Sequence, residues 1–156
     1  MRRRKVGPNP TDRTRCGSKL NVMADAAGTP ISVIVSAANE HDVNFILPLI
    51  FTKFPSIGGA IGRPRTQPQS VCADAGYTSK DVLEVLAKTN ISAEIPQRGS
   101  DSPEGLGQRR WPIERTIAWL KQFRRVGIRR DRKVQIYEAF VEMACSMIAF
   151  RKLNTI

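Results

Sequence analysis

Apolar residues recur along this chain with two different periods, and each change of period marks a new element. Residues 19–25 alternate, with Leu20, Val22 and Ala24 set between polar neighbours, which predicts a strand. Asp25-Ala26-Ala27-Gly28-Thr29-Pro30 is turn chemistry, and the β-branched run at 31–37 predicts the second strand of a hairpin. Ala38-Asn39-Glu40-His41-Asp42 leads into a short helix over 43–53. Asp42 is placed to cap that helix, and Pro48 to kink it or open its second half. Residues 55–69 read as a loop punctuated by Gly58, Gly59, Gly62, Pro64 and Pro68.

Residues 70–74 predict a short buried strand ending on Asp74, after which Ala75-Gly76-Tyr77 turns the chain. Thr78-Ser79-Lys80-Asp81 matches a capping box, with Asp81 at the third helical position. Val82, Leu83, Val85 and Leu86 carry that helix to Lys88, and 91–95 predict another strand. Residues 70–96 are therefore expected to form one β-α-β unit with parallel strands and a right-handed crossover. Residues 97–107 are polar, rich in Gly and Ser, and read as a mobile loop.

A basic helix follows. Pro112 suits its first turn, where a missing N–H costs nothing. Ile113, Ile117 and Leu120 make an apolar face, while Glu114, Ala118, Lys121 and Arg125 form a second stripe at i, i+4, i+7 and i+11. The helix is expected to stop near Gly127. A last helix over 133–153 is expected to turn Ile136, Phe140, Ala144, Met147 and Phe150 to the core. The whole reads as an α/β fold, and 156 residues suit a single domain with a real core. Residues 1–18 read as an irregular basic lead, broken by Gly7, Pro8 and Pro10. It is either a floppy tail or an arm that contacts phosphates.

Composition narrows the function. A hydrophobic content of 41% excludes compositional disorder. The longest apolar run, at 45–51, is interrupted by Pro48 and is too short to span a bilayer. No apolar segment follows the basic start, so no secretory signal is read. Cys16, Cys72 and Cys145 are widely spaced, with no CxxC and one histidine, which argues against a zinc site and a disulfide framework. They read as reduced thiols of a cytoplasmic protein. A net charge of +11 calls for a polyanionic partner. Nucleic acid fits better than a membrane surface, because no helix joins a broad apolar face to a basic one.

Two acids stand out. Residues 109–133 hold ten Lys/Arg and only two acids, Glu114 and Asp131. Glu114 either pairs with Lys121 or Arg110 on a solvated basic helix, or is a metal-binding carboxylate among side chains that hold phosphates. Asp74 either caps a turn or points into the crevice at the C-terminal ends of parallel strands. His41, beside acids, reads as a structural hydrogen-bonder. Together Asp74 and Glu114 are the best two-carboxylate set available. Mg²⁺, or Mn²⁺ in its place, needs only one or two protein carboxylates beside substrate phosphates. A pair of such ions can activate an attacking oxygen and stabilise a leaving one.

Five motifs in order then carry a resemblance. They are Gly7-Pro8-Asn9-Pro10-Thr11-Asp12-Arg13, Gly17-Ser18-Lys19, Ala37-Ala38-Asn39-Glu40-His41-Asp42, Ala73-Asp74-Ala75-Gly76-Tyr77, and Arg110-Trp111-Pro112-Ile113-Glu114-Arg115-Thr116-Ile117-Ala118-Trp119-Leu120 with Phe123-Arg124-Arg125 after it. The chain resembles the DDE transposases of bacterial insertion sequences, in the branch grouping the fourth and fifth insertion-sequence families. The resemblance implies an RNase H-like mixed sheet with C-terminal helices, and metal-dependent cutting and joining of DNA. It implies Asp74 and Glu114 as the second and third acids of a catalytic triad and as metal ligands. Arg110, Glu114 and Lys121 match the family's Tyr-x2-Arg-x3-Glu-x6-Lys signature, with Gly107 at the Tyr position. Arg110, Arg115, Lys121, Arg124 and Arg125 are expected on DNA phosphates. The first acid lies upstream of the Gly-Pro-Asn-Pro segment in the family, so its strand and its Asp are expected to be missing here. Asp12 and Asp25 do not match its position. The expectations are a bacterial, nucleoid-associated protein acting on insertion-sequence ends and target DNA, possible homo-oligomers on DNA, and an upstream-frame segment that restores activity. The other reading is a non-catalytic basic DNA-binding remnant that regulates the element.

Overall fold

The computed structural model describes residues 5–10, 15–59, 61–97 and 106–153. These gather into two compact units, Met1–Glu40 with Pro112–Ile156, and His41–Trp111.

The first unit is built on the predicted hairpin. β2 (Cys16–Ala24) and β3 (Pro30–Ala37) pair antiparallel, with Leu20 opposite Val35 and Val22 opposite Val33. That alternation turns the four side chains to one face of the sheet, as period two requires. The register shifts between Met23 and Ala24, just before the turn. A short β1 (Gly7–Pro8) pairs with Gly17 and Cys16 of β2, so the lead is not irregular throughout. A Cβ at Gly7 would fall 1.7 Å from Asn39 Oδ1, so any larger residue there would displace the Asn39 side chain. Arg2 to Arg4 and Thr11 to Thr14, with Asp12 and Arg13, lie outside the described residues.

Helices cover this sheet. The basic helix, α3 (Leu106–Gln122), is followed by α4 (Arg124–Gly127) and α5 (Val134–Leu153), which packs on β3. The core joins Val35, Leu120, Val126, Tyr137, Val141, Ala144 and Ile148. Two expectations are corrected. α3 begins at Leu106, so Pro112 lies inside it and not in its first turn. The missing N–H then costs one backbone hydrogen bond to the preceding turn. α5 buries Val134, Tyr137, Val141, Ala144 and Ile148, whereas Ile136, Met147 and Phe150 are exposed. α5 is apolar on several sides, so periodicity alone does not choose its buried face. Burial of Tyr137, whose hydroxyl donates to the Val126 carbonyl at 2.8 Å, chooses it.

In the second unit, β4 (Ser70–Cys72) and β5 (Ser92–Glu94) are parallel, Val71 opposite Ala93, joined by α2 (Lys80–Lys88) as the β-α-β reading expects. The capping box does not form. Ser79 caps α2, its Oγ accepting from the Val82 N–H at 3.1 Å, and the Thr78 hydroxyl donates to the Pro96 carbonyl instead. α1 (Val43–Phe51) buries Ile46, Leu49 and Ile50 and holds Pro48 inside it. Asp42 precedes α1 but makes no side-chain cap bond. The expected loop at 55–69 contains one antiparallel bridge, Ile57 to Arg65. Residues 98–105, most of the expected loop before the basic helix, lie outside the described residues.

Among the described residues the strands form a three-stranded antiparallel sheet ordered β1-β2-β3 in the first unit and the parallel pair β4-β5 in the second. The mixed α/β class is as expected.

Candidate functional site

Asp74 stands two residues past the end of β4, where it caps a 3-10 turn over Ala75–Tyr77. Its Oδ1 accepts the Ala75 N–H at 2.7 Å, the local bond that a short acid makes at such a turn. The same oxygen takes Arg110 Nη1 at 3.1 Å, while 63% of the Asp74 side chain stays exposed. So Asp74 is both a capping residue and an accessible carboxylate at a strand end. The two readings of the residue are compatible, because one oxygen serves the turn and Arg110.

Tyr77 packs beside it. Burial first, then the charges of Asp42 and Asp74, push its phenol up to about 12. Asp42 also reaches Gly76, where an added Cβ would sit 3.5 Å from Asp42 Oδ2. Sequence reasoning placed Asp42 only as a helix cap. The structure sets a second acid against the turn that carries Asp74. The signal was the Ala37–Asp42 motif itself, read there for its family likeness and not for its place.

Glu114 lies on the solvent side of α3. Glu114, Ala118 and Lys121 are exposed on α3, as the stripe predicts, and Thr116 and Leu120 are buried on the other side. α3 ends at Gln122, short of the expected Gly127, so Arg125, also exposed, lies on α4 and outside the stripe. Arg110, Glu114 and Lys121 stand four and seven residues apart on this one helix, which keeps them on one face. Glu114 belongs with the first unit and Asp74 with the second.

The expected phosphate contacts divide. Lys121 and Arg124 are exposed and make no ion pair among the described residues. Arg110 holds Asp74. Arg115 donates to the Ala27 carbonyl at 2.7 Å and lies 4.9 Å from the centre of the Trp119 ring. Arg125 pairs with Asp131 at 2.5 Å and covers the Phe140 ring at 4.2 Å. Asp25 Oδ1 accepts the Thr29 N–H at 2.7 Å, which makes it a turn residue. His41 is exposed. The three cysteines are unbridged.

Among the described residues no group of three or more His, Cys, Asp or Glu could hold a metal ion. Asp74 and Glu114 each present a carboxylate, the hard oxygen ligand that Mg²⁺ takes. The accessible Asp74 carboxylate suits such an ion, with its Oδ1 already held by Ala75 and Arg110. No helix of the described residues is long and apolar enough to cross a membrane.

Comparison with known proteins agrees with the motifs. The family model for the transposase DDE domain matches residues 2–147, across both units. A Burkholderia cepacia protein, named as transposase for insertion sequence element IS402, is 44% identical over 152 residues, covering 97% of this chain and 72% of the relative. No solved structure matches. The chain belongs to the DDE transposases of bacterial insertion sequences.

Proposed function

We propose that this protein cleaves DNA at insertion-sequence ends and joins those ends to target DNA, with Asp74 and Glu114 holding the Mg²⁺ that the chemistry needs. Both units then form one catalytic domain of RNase H-like fold. The observation that carries this is the Arg110–Asp74 pair. It ties the acid at the strand end to the first member of the Arg-x3-Glu-x6-Lys stripe that also bears Glu114. When bound, the metal activates the attacking oxygen and stabilises the leaving one. The chain's own part is to hold the carboxylates, to orient Asp74 through Ala75 and Arg110, and to neutralise the DNA backbone. Lys121 and Arg124 contact phosphates. Arg110, Arg115 and Arg125 keep their present partners and turn remaining N–H donors of their guanidinium groups to phosphate. The protein works beside DNA in the bacterial cytoplasm, as a homo-oligomer on paired ends.

The triad's first acid comes from a strand outside this sequence, supplied by an upstream reading frame or as a separate piece. One observation supports this: among the described residues β1 pairs with β2 only at Cys16 and Gly17, the first two residues of that edge.

The test is cleavage of element-end duplexes with Mg²⁺ or Mn²⁺. The 156-residue chain alone should show no strand transfer and at most trace nicking. Adding the upstream segment with its Asp should restore cleavage. Asp74→Ala or Glu114→Ala should then abolish it, with DNA affinity changed by less than about twofold, since basic residues carry affinity. Robust cleavage by this chain alone would exclude the outside acid and turn attention to Asp12 and Asp25. DNA binding without cleavage in every combination would favour the non-catalytic regulator.

A further inference from the structure

We propose that the turn between β2 and β3 is a positioning device that sets the rotation of α3, and with it the place of Glu114. The proposal rests on the reading of Glu114 as a metal ligand. Gly28 sits in the turn at φ +79°, where a Cβ would lie 2.9 Å from the Pro112 carbonyl oxygen and 3.0 Å from Thr116 Oγ1. Only a residue without a side chain can bring the turn this close to the helix. Thr116 is completely buried, and its hydroxyl lies 2.5 Å from the Gly28 carbonyl oxygen and 2.9 Å from that of Pro112. A hydroxyl has one proton to give, so these two carbonyls share it. Two cations close the grip. Arg115 and Lys152 both donate to the Ala27 carbonyl, and both lie against the Trp119 ring, at 4.9 Å and 5.8 Å from its centre.

All these contacts fall on one side of α3. Glu114 is two residues before Thr116, about 200° around the helix, and is exposed on the other side. A small rotation of the helix about its axis would swing that carboxylate away. Rotation is resisted because it would take the Thr116 donor from the carbonyl of the buried Gly28, and a buried acceptor left without its donor is costly. A carboxylate set by a locked helix is held more closely than one set by a loop.

The experiment titrates Mn²⁺ into the 156-residue chain and reads the free ion by electron paramagnetic resonance, well below each variant's melting temperature. Glu114→Ala sets the floor. Thr116→Val, which keeps the shape and loses the donor, should weaken Mn²⁺ binding roughly tenfold, as loss of an orienting partner does. Gly28→Ala should do the same. Thr116→Ser should stay within about twofold of the parent, since its donor remains. Parent-like affinity in folded Thr116→Val and Gly28→Ala, with Glu114→Ala weakened, would overturn the positioning role. Parent-like affinity in Glu114→Ala would instead overturn the metal reading beneath it. Should Thr116→Val fail to fold, Lys152→Met decides. It removes one donor from Ala27 at a half-buried site, and weakened Mn²⁺ binding supports the proposal while unchanged binding overturns it.

Discussion

Single residues here change meaning with their partners. Arg110, Arg115 and Arg125 read alike in sequence, yet one holds Asp74, one holds the Ala27 carbonyl, and one holds Asp131. Long cationic side chains find their acceptors in space, and the acceptors lie 36, 88 and 6 residues away. Cys145 offers a test at this scale. Burial first, then the nearby Glu142, pushes its thiol from 9.0 up to about 11. Between those values the unfolded chain has released the proton and the folded chain keeps it. The unfolded state then binds fewer protons, so stability falls as pH rises. Melting temperature should therefore decline above about pH 9. Cys145→Ala should move the onset of that decline toward pH 10.0, where the unfolded Tyr77 phenol begins to ionise while the folded one holds out to about 12. A decline that begins at the same pH in both proteins would contradict it.

At the scale of elements, α3 and α5 tell opposite stories. The exposed stripe of α3 is as its charge pattern predicts, because charged residues such as Glu114 and Lys121 are costly to bury without partners. α5 has no such contrast, and its buried face differs from the one its spacing predicts. Neighbouring residues on it should therefore behave differently. Ile148→Ala, at 5% exposure, should cost about 2–5 kcal/mol. Met147→Ala, at 45% exposure, should stay within about 0.5 kcal/mol. Urea unfolding followed by circular dichroism measures both, and a large loss for Met147→Ala would restore the face expected from spacing. For α3, each phosphate neutralised gives a slope of roughly −0.9 in log affinity against log salt. Lys121→Ala together with Arg124→Ala should flatten the slope by roughly two. An unchanged slope would move the DNA face elsewhere.

For the whole molecule, the hairpin edge, which among the described residues β1 covers only at Cys16 and Gly17, should invite association with other strands. The chain should be poorly soluble by itself, and the upstream segment should reduce light scattering at equal concentration. No change in scattering would argue that the segment does not bind here. Much of this molecule was legible beforehand. Alternation at Leu20 and Val22 sets the hairpin, and turn residues on either side of a short helix set the parallel pair carrying Asp74. The exposed Glu114 stripe follows from its spacing in the same way. These patterns lie within neighbouring residues, where period and turn chemistry act directly. Tertiary structure alone decided the buried side of α5, the pairing of Asp42 with the Asp74 turn around Tyr77, and the clasp of Thr116 on Gly28. Each depends on contacts between residues far apart in the chain, and no local pattern records which of several apolar faces or polar acceptors a fold will bring together.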